Sequence, residues 1–220
     1  KEWQKDEIRN RIFLIAQLRK RKLSKNFSRT LNSLENAQQE QPFRNDRYLR
    51  NEYLIQNEIF NYLQERERSP HNNLQEVSST LDYTYYSEKL MVVCRMLFHQ
   101  SVYKTNFDFG PLAEIVDFVE SRSLLSDPVI AIYYYIYKAL TEDDGQIYFG
   151  KLRNTLFGQE QIFPDSQLKE IYLMAINYCI RKMNAGMEEF AREAFEWYKQ
   201  GFENLILIED NVISRWTYLN

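Results

Sequence analysis

Two cysteines in 220 residues are too few for a disulfide framework. Cys94 and Cys179 each lie in an apolar helical run and are read as buried free thiols. Histidine is equally scarce, with only His71 and His99. Neither has a Glu three residues before it, since Arg68 and Met96 hold those places, which argues against a carboxylate-bridged di-iron bundle. His99 reads as a helix-end or surface residue. Six glycines and five prolines are too few for the many tight turns of an all-β sandwich. The longest uninterrupted apolar run, Val129–Tyr137, is nine residues. A membrane helix needs about 20. No signal peptide is visible either. Unpaired thiols and the lack of a spanning segment point to a reducing, cytoplasmic compartment. The chain starts at Lys1 rather than Met, which suggests a processed or cut piece.

Catalytic motifs are also lacking. There is no Gly-x-Ser-x-Gly elbow. Gly145–Lys151 (GQIYFGK) comes near a phosphate-binding loop. A true one follows a buried strand, has small loop residues and ends in a hydroxyl. Here acidic Glu142, Asp143 and Asp144 precede it, Ile147, Tyr148 and Phe149 fill it, and Leu152 replaces the hydroxyl. It reads as a helix start. No metal-ligand cluster or spaced carboxylate pair stands out, so neither a cofactor nor an enzymatic activity is expected.

What the chain has is helical periodicity, tyrosine and an uneven charge. Hydrophobic residues make up 44%, enough for a sizeable core, and the 16 tyrosines suit interhelical layers with a polar rim. Residues 1–29 carry ten Lys/Arg against three Asp/Glu, a balance of +7; the remainder carries 18 against 28, or −10.

Trp3–Arg21 has helical spacing through Ile8, Ile12, Ile15 and Leu18. Leu23, Phe27, Leu31 and Leu34 continue it, and the polar, Pro-containing stretch 36–45 breaks it. Further helices are expected over Asp46–Arg66, after a Ser69-Pro70 start, over Ser79–Gln100, and from Pro111 to about Val119. Asp127-Pro128 is a cap followed by Pro at the first helical position. The strand-like run VIAIYYYIY after it is assigned to helix, because the cap suits one and no partner strand is evident. Gln146–Phe157 is read as an outer helix closed near Gly158.

The clearest unit is Asp165–Leu207. Leu168–Met183 is apolar nearly all round, with Glu170, Asn177, Arg181 and Asn184 on one stripe roughly 60° wide. A turn at Asn184-Ala185-Gly186 follows. Met187–Leu207 is apolar on one face, assigned to Phe190, Ala194, Phe195, Tyr198, Phe202 and Leu205. An inner rod beside a half-wet one buries a continuous core only by stacking on further pairs. Ile132-Tyr133 and Ile171-Tyr172, 39 residues apart, hold equivalent points of successive pairs. Val212–Asn220 reads as the start of another helix capped by Ser214.

The segments DYTYYSEKLMVVCRML (82–97), DPVIAIYYYIYKAL (127–140) and LKEIYLMAINYCIRKMNAG (168–186) resemble uncharacterised bacterial proteins with tetratricopeptide-like helical repeats. The resemblance covers about residues 80–220, and the tetratricopeptide consensus itself, with its Leu-Gly pair in a roughly 34-residue unit, is not met. It implies a protein-binding array and carries over no site residue.

The expected fold is therefore all-α. It is a right-handed α-solenoid of antiparallel, tetratricopeptide-like helix pairs, about three of them behind N-terminal helices. Residues 1–45 are expected as a basic helical segment and 46–220 as the repeat domain, cut short at its end. The expected function is a non-enzymatic scaffold holding a protein or peptide in its groove, with Glu170, Asn177, Arg181 and Asn184 lining it. The alternative for that stripe is bonding within the array. A second function is a nucleic-acid-associated regulator using Arg9, Arg11, Arg19, Lys20, Arg21, Lys22, Lys25 and Arg29. The bland reading of those bases is a solvated face that meets acidic groups elsewhere in the chain.

Overall fold

The computed structural model describes residues 2–66, 72–209 and 212–213. Helices α1 (Glu2–Lys20), α2 (Ser24–Gln39), α3 (Asp46–Arg66), α4 (Leu74–Tyr103), α5 (Leu112–Ser121), α6 (Pro128–Thr141), α7 (Gly145–Leu156), α8 (Asp165–Asn184) and α9 (Phe190–Glu203) follow one another. Short 3-10 turns at Leu124–Ser126 and Glu160–Ile162 precede α6 and α8. Among the described residues the chain is all-α apart from one minimal ladder, in which Ile208–Glu209 pairs antiparallel with Val212–Ile213. Val212 and Ile213, the entry to the helix expected after Ser214, are extended; the rest of that stretch lies outside the described residues. Ser69, Pro70 and Ser214 lie outside the described residues.

Contacts divide the chain into two units, Lys1–Lys89 and Leu90–Asn220. The division falls within α4. The reason is α3: Ile55, Ile59 and Tyr62 join Ile8, Ile12, Ile15, Phe27 and Leu34 in one core, so α1, α2 and α3 belong together. Phe27 stacks on Tyr62 at 3.9 Å between ring centres. The α1–α2 reversal is tight, and Lys22 takes a left-handed conformation there (φ 56°).

In the second unit α6 and α7 form one hairpin and α8 and α9 another; connections this short make neighbours antiparallel. The tyrosine-rich run 129–137 is helical, as the Asp-Pro start requires. Asp127 Oδ1 accepts from the Val129 and Ile130 amides at 2.9 and 3.1 Å, and Pro128 has no amide to satisfy. Eight residues of α6 and nine of α8 are buried, against four each in α7 and α9. Ile132, Tyr133, Ile171 and Tyr172, the two matched pairs, are all at most 1% exposed.

α9 departs from expectation. It covers Phe190–Glu203, not Met187–Leu207, and its buried face is Phe190, Ala194, Trp197 and Gly201. Phe195 and Leu205 are 62% and 68% exposed. Trp197, wholly buried, is the hub. Its ring lies 4.8 Å from Phe157, 5.1 Å from Tyr172 and 5.8 Å from Phe149, joining α9 to α8, α7 and the turn after α7.

Candidate interaction surfaces

Chemistry inside the second unit is muted by burial. Cys94 Sγ donates to the Tyr133 carbonyl at 3.2 Å, and burial pushes its thiol well above the ordinary range. Burial likewise pushes Cys179 up to about 12. Neither thiol carries the thiolate a nucleophile needs. The Tyr133 hydroxyl accepts from Gln167 Nε2 at 2.8 Å, and desolvation raises its pKa. Tyr134 donates to Glu120 at 2.5 Å. Tyr172 donates to Glu160, whose other oxygen accepts from Asn204 at 2.8 Å. These bonds tie helices and turns together.

A cavity of about 10 Å³ between Ile136, Phe149, Leu152, Met174 and Tyr178 is apolar and holds at most one water. Among the described residues no His/Cys/Asp/Glu group has the makings of a metal site. None of their helices is long and apolar enough to cross a membrane. Gly145–Lys151 lies in the first two turns of α7. A Cβ at Gly145 would stand 2.3 Å from the Ala139 carbonyl oxygen, so the glycine serves helix packing there. His99 is exposed and stacks on Tyr103 at 5.4 Å; His71 is outside the described residues.

The two predicted residue sets are each split by the structure. On α8, Glu170 is taken up by a two-pronged ion pair with Arg95, at 2.6 and 2.7 Å. That is the intramolecular bond weighed against a groove role for this stripe. Arg95 carried no sequence signal, because its partner is 75 residues away. Asn177 is half-buried, and Arg181 and Asn184 are exposed. Arg181 makes no ion pair among the described residues.

On the N-terminal hairpin, Arg11 donates to the Ser33 carbonyl and Oγ at 3.0 and 2.9 Å, and pairs with Glu7. Arg19 is half-buried and is clamped by Glu58, at 2.9 Å, and by Glu65, both on α3. These two meet acidic or polar partners as struts of the first unit. Arg9, Lys20, Arg21, Lys22, Lys25 and Arg29 are exposed and make no ion pair among the described residues. No family model, curated protein or solved structure matches the chain.

Proposed function

We infer that the protein is a non-enzymatic interaction module, its second unit a short right-handed solenoid of tetratricopeptide-like helix pairs that holds a peptide segment of a partner protein. The observation that carries this reading is the state of α8. Its buried face anchors the unit, while Asn177, Arg181 and Asn184 follow one another along the remaining stripe, with the guanidinium of Arg181 exposed. Helical arrays bind through such inner-helix side chains, and a cation between two amides suits a peptide with an acidic side chain or C-terminal carboxylate. The repetition of an Ile-Tyr pair in α6 and α8, and the inner and outer roles of the helices, support a stacked array.

Selection from a displayed peptide library tests it. Selected peptides should be enriched in acidic residues, and titration by fluorescence anisotropy should show at least a tenfold loss on Arg181→Glu. Glu170→Gln should change affinity little, since that carboxylate faces Arg95. Selected peptides that bind Arg181→Glu as well as the parent would remove the stripe from consideration.

A further inference from the structure

We propose that the α1–α2 hairpin of the first unit is a nucleic-acid-binding surface, which grips phosphates through Lys20, Arg21, Lys22, Lys25 and Arg29 and lays the outer face of α2 against the strand. The inference is independent of the peptide reading and starts from an asymmetry in the charge. Residues 8–34 contain eight Lys/Arg and no acid. Folding removes two of those bases, Arg11 and Arg19, into bonds with Ser33, Glu7, Glu58 and Glu65. The rest stay exposed, and five of them fall in the ten residues from Lys20 to Arg29, around one tight turn. The same contacts that take up Arg19 also occupy two α3 carboxylates, Glu58 and Glu65. The N-terminus of α2, which no side chain caps, adds the positive end of a helix dipole at the same place.

The outer face of α2 decides between polyanions. Phe27, Leu34 and Gln38 are its buried side. Opposite them, at helical spacing, stand Lys25, Arg29, Asn32 and Asn36, flanked by exposed Asn26 and Ser28. This face has no apolar residue. An amphipathic helix that inserts into a lipid surface uses apolar side chains to enter the acyl boundary. The exposed Phe13 and Leu14 lie six or seven residues back along α1 from the turn, and Leu23 stands alone in the patch. Arg, Lys, Ser and Asn are instead the residues that contact phosphate, sugar and base edges, and two amides on the axis of two cations give α2 donors and acceptors for a groove.

Anisotropy titrations of the full chain against a labelled mixed-sequence 20-base-pair DNA duplex, and the matching RNA duplex, test this. Binding of either is expected at 50 mM salt. If about four phosphates are engaged, raising salt to 200 mM should weaken it roughly a hundredfold. Lys25→Glu with Arg29→Glu should cost at least tenfold, and Lys25→Gln with Arg29→Gln an intermediate loss. Arg192→Glu with Lys199→Glu, an equal charge change on exposed α9 positions, should cost less than twofold. Circular dichroism melts that match the parent establish that every variant is folded. No binding of either duplex at low salt overturns the proposal. So does equal loss in the α9 control, which would mark a net-charge effect. Phosphatidylserine vesicles that bind tightly and are not displaced by excess duplex would also overturn it, in favour of a membrane surface.

Discussion

Adding one methyl group at Gly145 should destabilise the second unit, while adding the same group five residues later should not. An ideal Cβ on Gly145 would stand 2.3 Å from the Ala139 carbonyl oxygen, 3.0 Å from its carbon and 3.1 Å from its Cα. Ordinary non-bonded contact begins at about 3.5 Å, so the overlap with the oxygen exceeds an ångström. The obstacle is backbone, and no rotamer change clears it. Relief requires α6 and α7 to part at their connection, which would loosen Phe149 and Leu152, both buried in the same hairpin. Overpacking of this kind costs about 1–3 kcal/mol, and an immovable neighbour places Gly145→Ala toward the upper end. The better helix propensity of Ala offsets up to about 1 kcal/mol, leaving a net loss of about 2 kcal/mol. For a unit of this size that is a fall in Tm of roughly 6–10 °C. Gly150 sits in the same helix with nothing within 4 Å of its missing Cβ. There Gly→Ala should stabilise by about 0.5–1 kcal/mol, chiefly by restricting the unfolded chain. Urea titration followed by circular dichroism gives both signs. Hydrogen exchange in peptides from residues 145–156 should quicken in Gly145→Ala and slow in Gly150→Ala. A Gly145→Ala protein as stable as the parent would refute the close approach of α7 to the end of α6.

Trp197→Ala should cost about 3–5 kcal/mol by emptying the site between α7, α8 and α9, whereas Phe195→Ala, at a largely exposed position, should stay within about 0.5 kcal/mol; equal effects in urea titrations would mean that the wrong face of α9 has been assigned to the core. Asp127→Ala removes the acceptor for two amides and should lower stability by about 1–2 kcal/mol, while Asp127→Asn keeps an acceptor without the charge that burial disfavours and should recover most of it; an Asn variant as poor as Ala in thermal melts would show that the cap contributes little. Neither Cys94 nor Cys179 should react with a chromogenic disulfide reagent in the native protein, and both should react once urea unfolds it, because burial hides the sulfurs and keeps them protonated; a prompt native-state equivalent would contradict their burial.

Features set by near neighbours along the chain are legible in the order of the residues. The Asp127-Pro128 start of α6 is local hydrogen-bond chemistry, and it outweighs the strand propensity of the nine residues that follow. The end of α8 is local too: Gly186 has φ +90°, a conformation that L side chains rarely adopt. The near all-round burial of α8 follows from its narrow polar stripe. α9 is harder because it carries two apolar stripes. Phe190, Ala194 and Trp197 share one, Phe195, Tyr198 and Phe202 another, and helical periodicity alone gives no reason to prefer either.

The amino-acid sequence by itself determined that this chain is helical, where most of its helices begin and end, and that its positive charge is gathered near one terminus. Those properties arise from contacts within a few residues. Only the tertiary structure decided that Trp197 is the hub, that α3 belongs with α1 and α2, that Val212–Ile213 is extended, and that Glu170, Arg11 and Arg19 are held internally while Arg181, Lys25 and Arg29 face solvent. Each of those outcomes depends on a partner brought close by folding. Arg95 is 75 residues from Glu170 and Glu58 is 39 from Arg19, so neither helical period nor local charge pattern reveals which ions are neutralised.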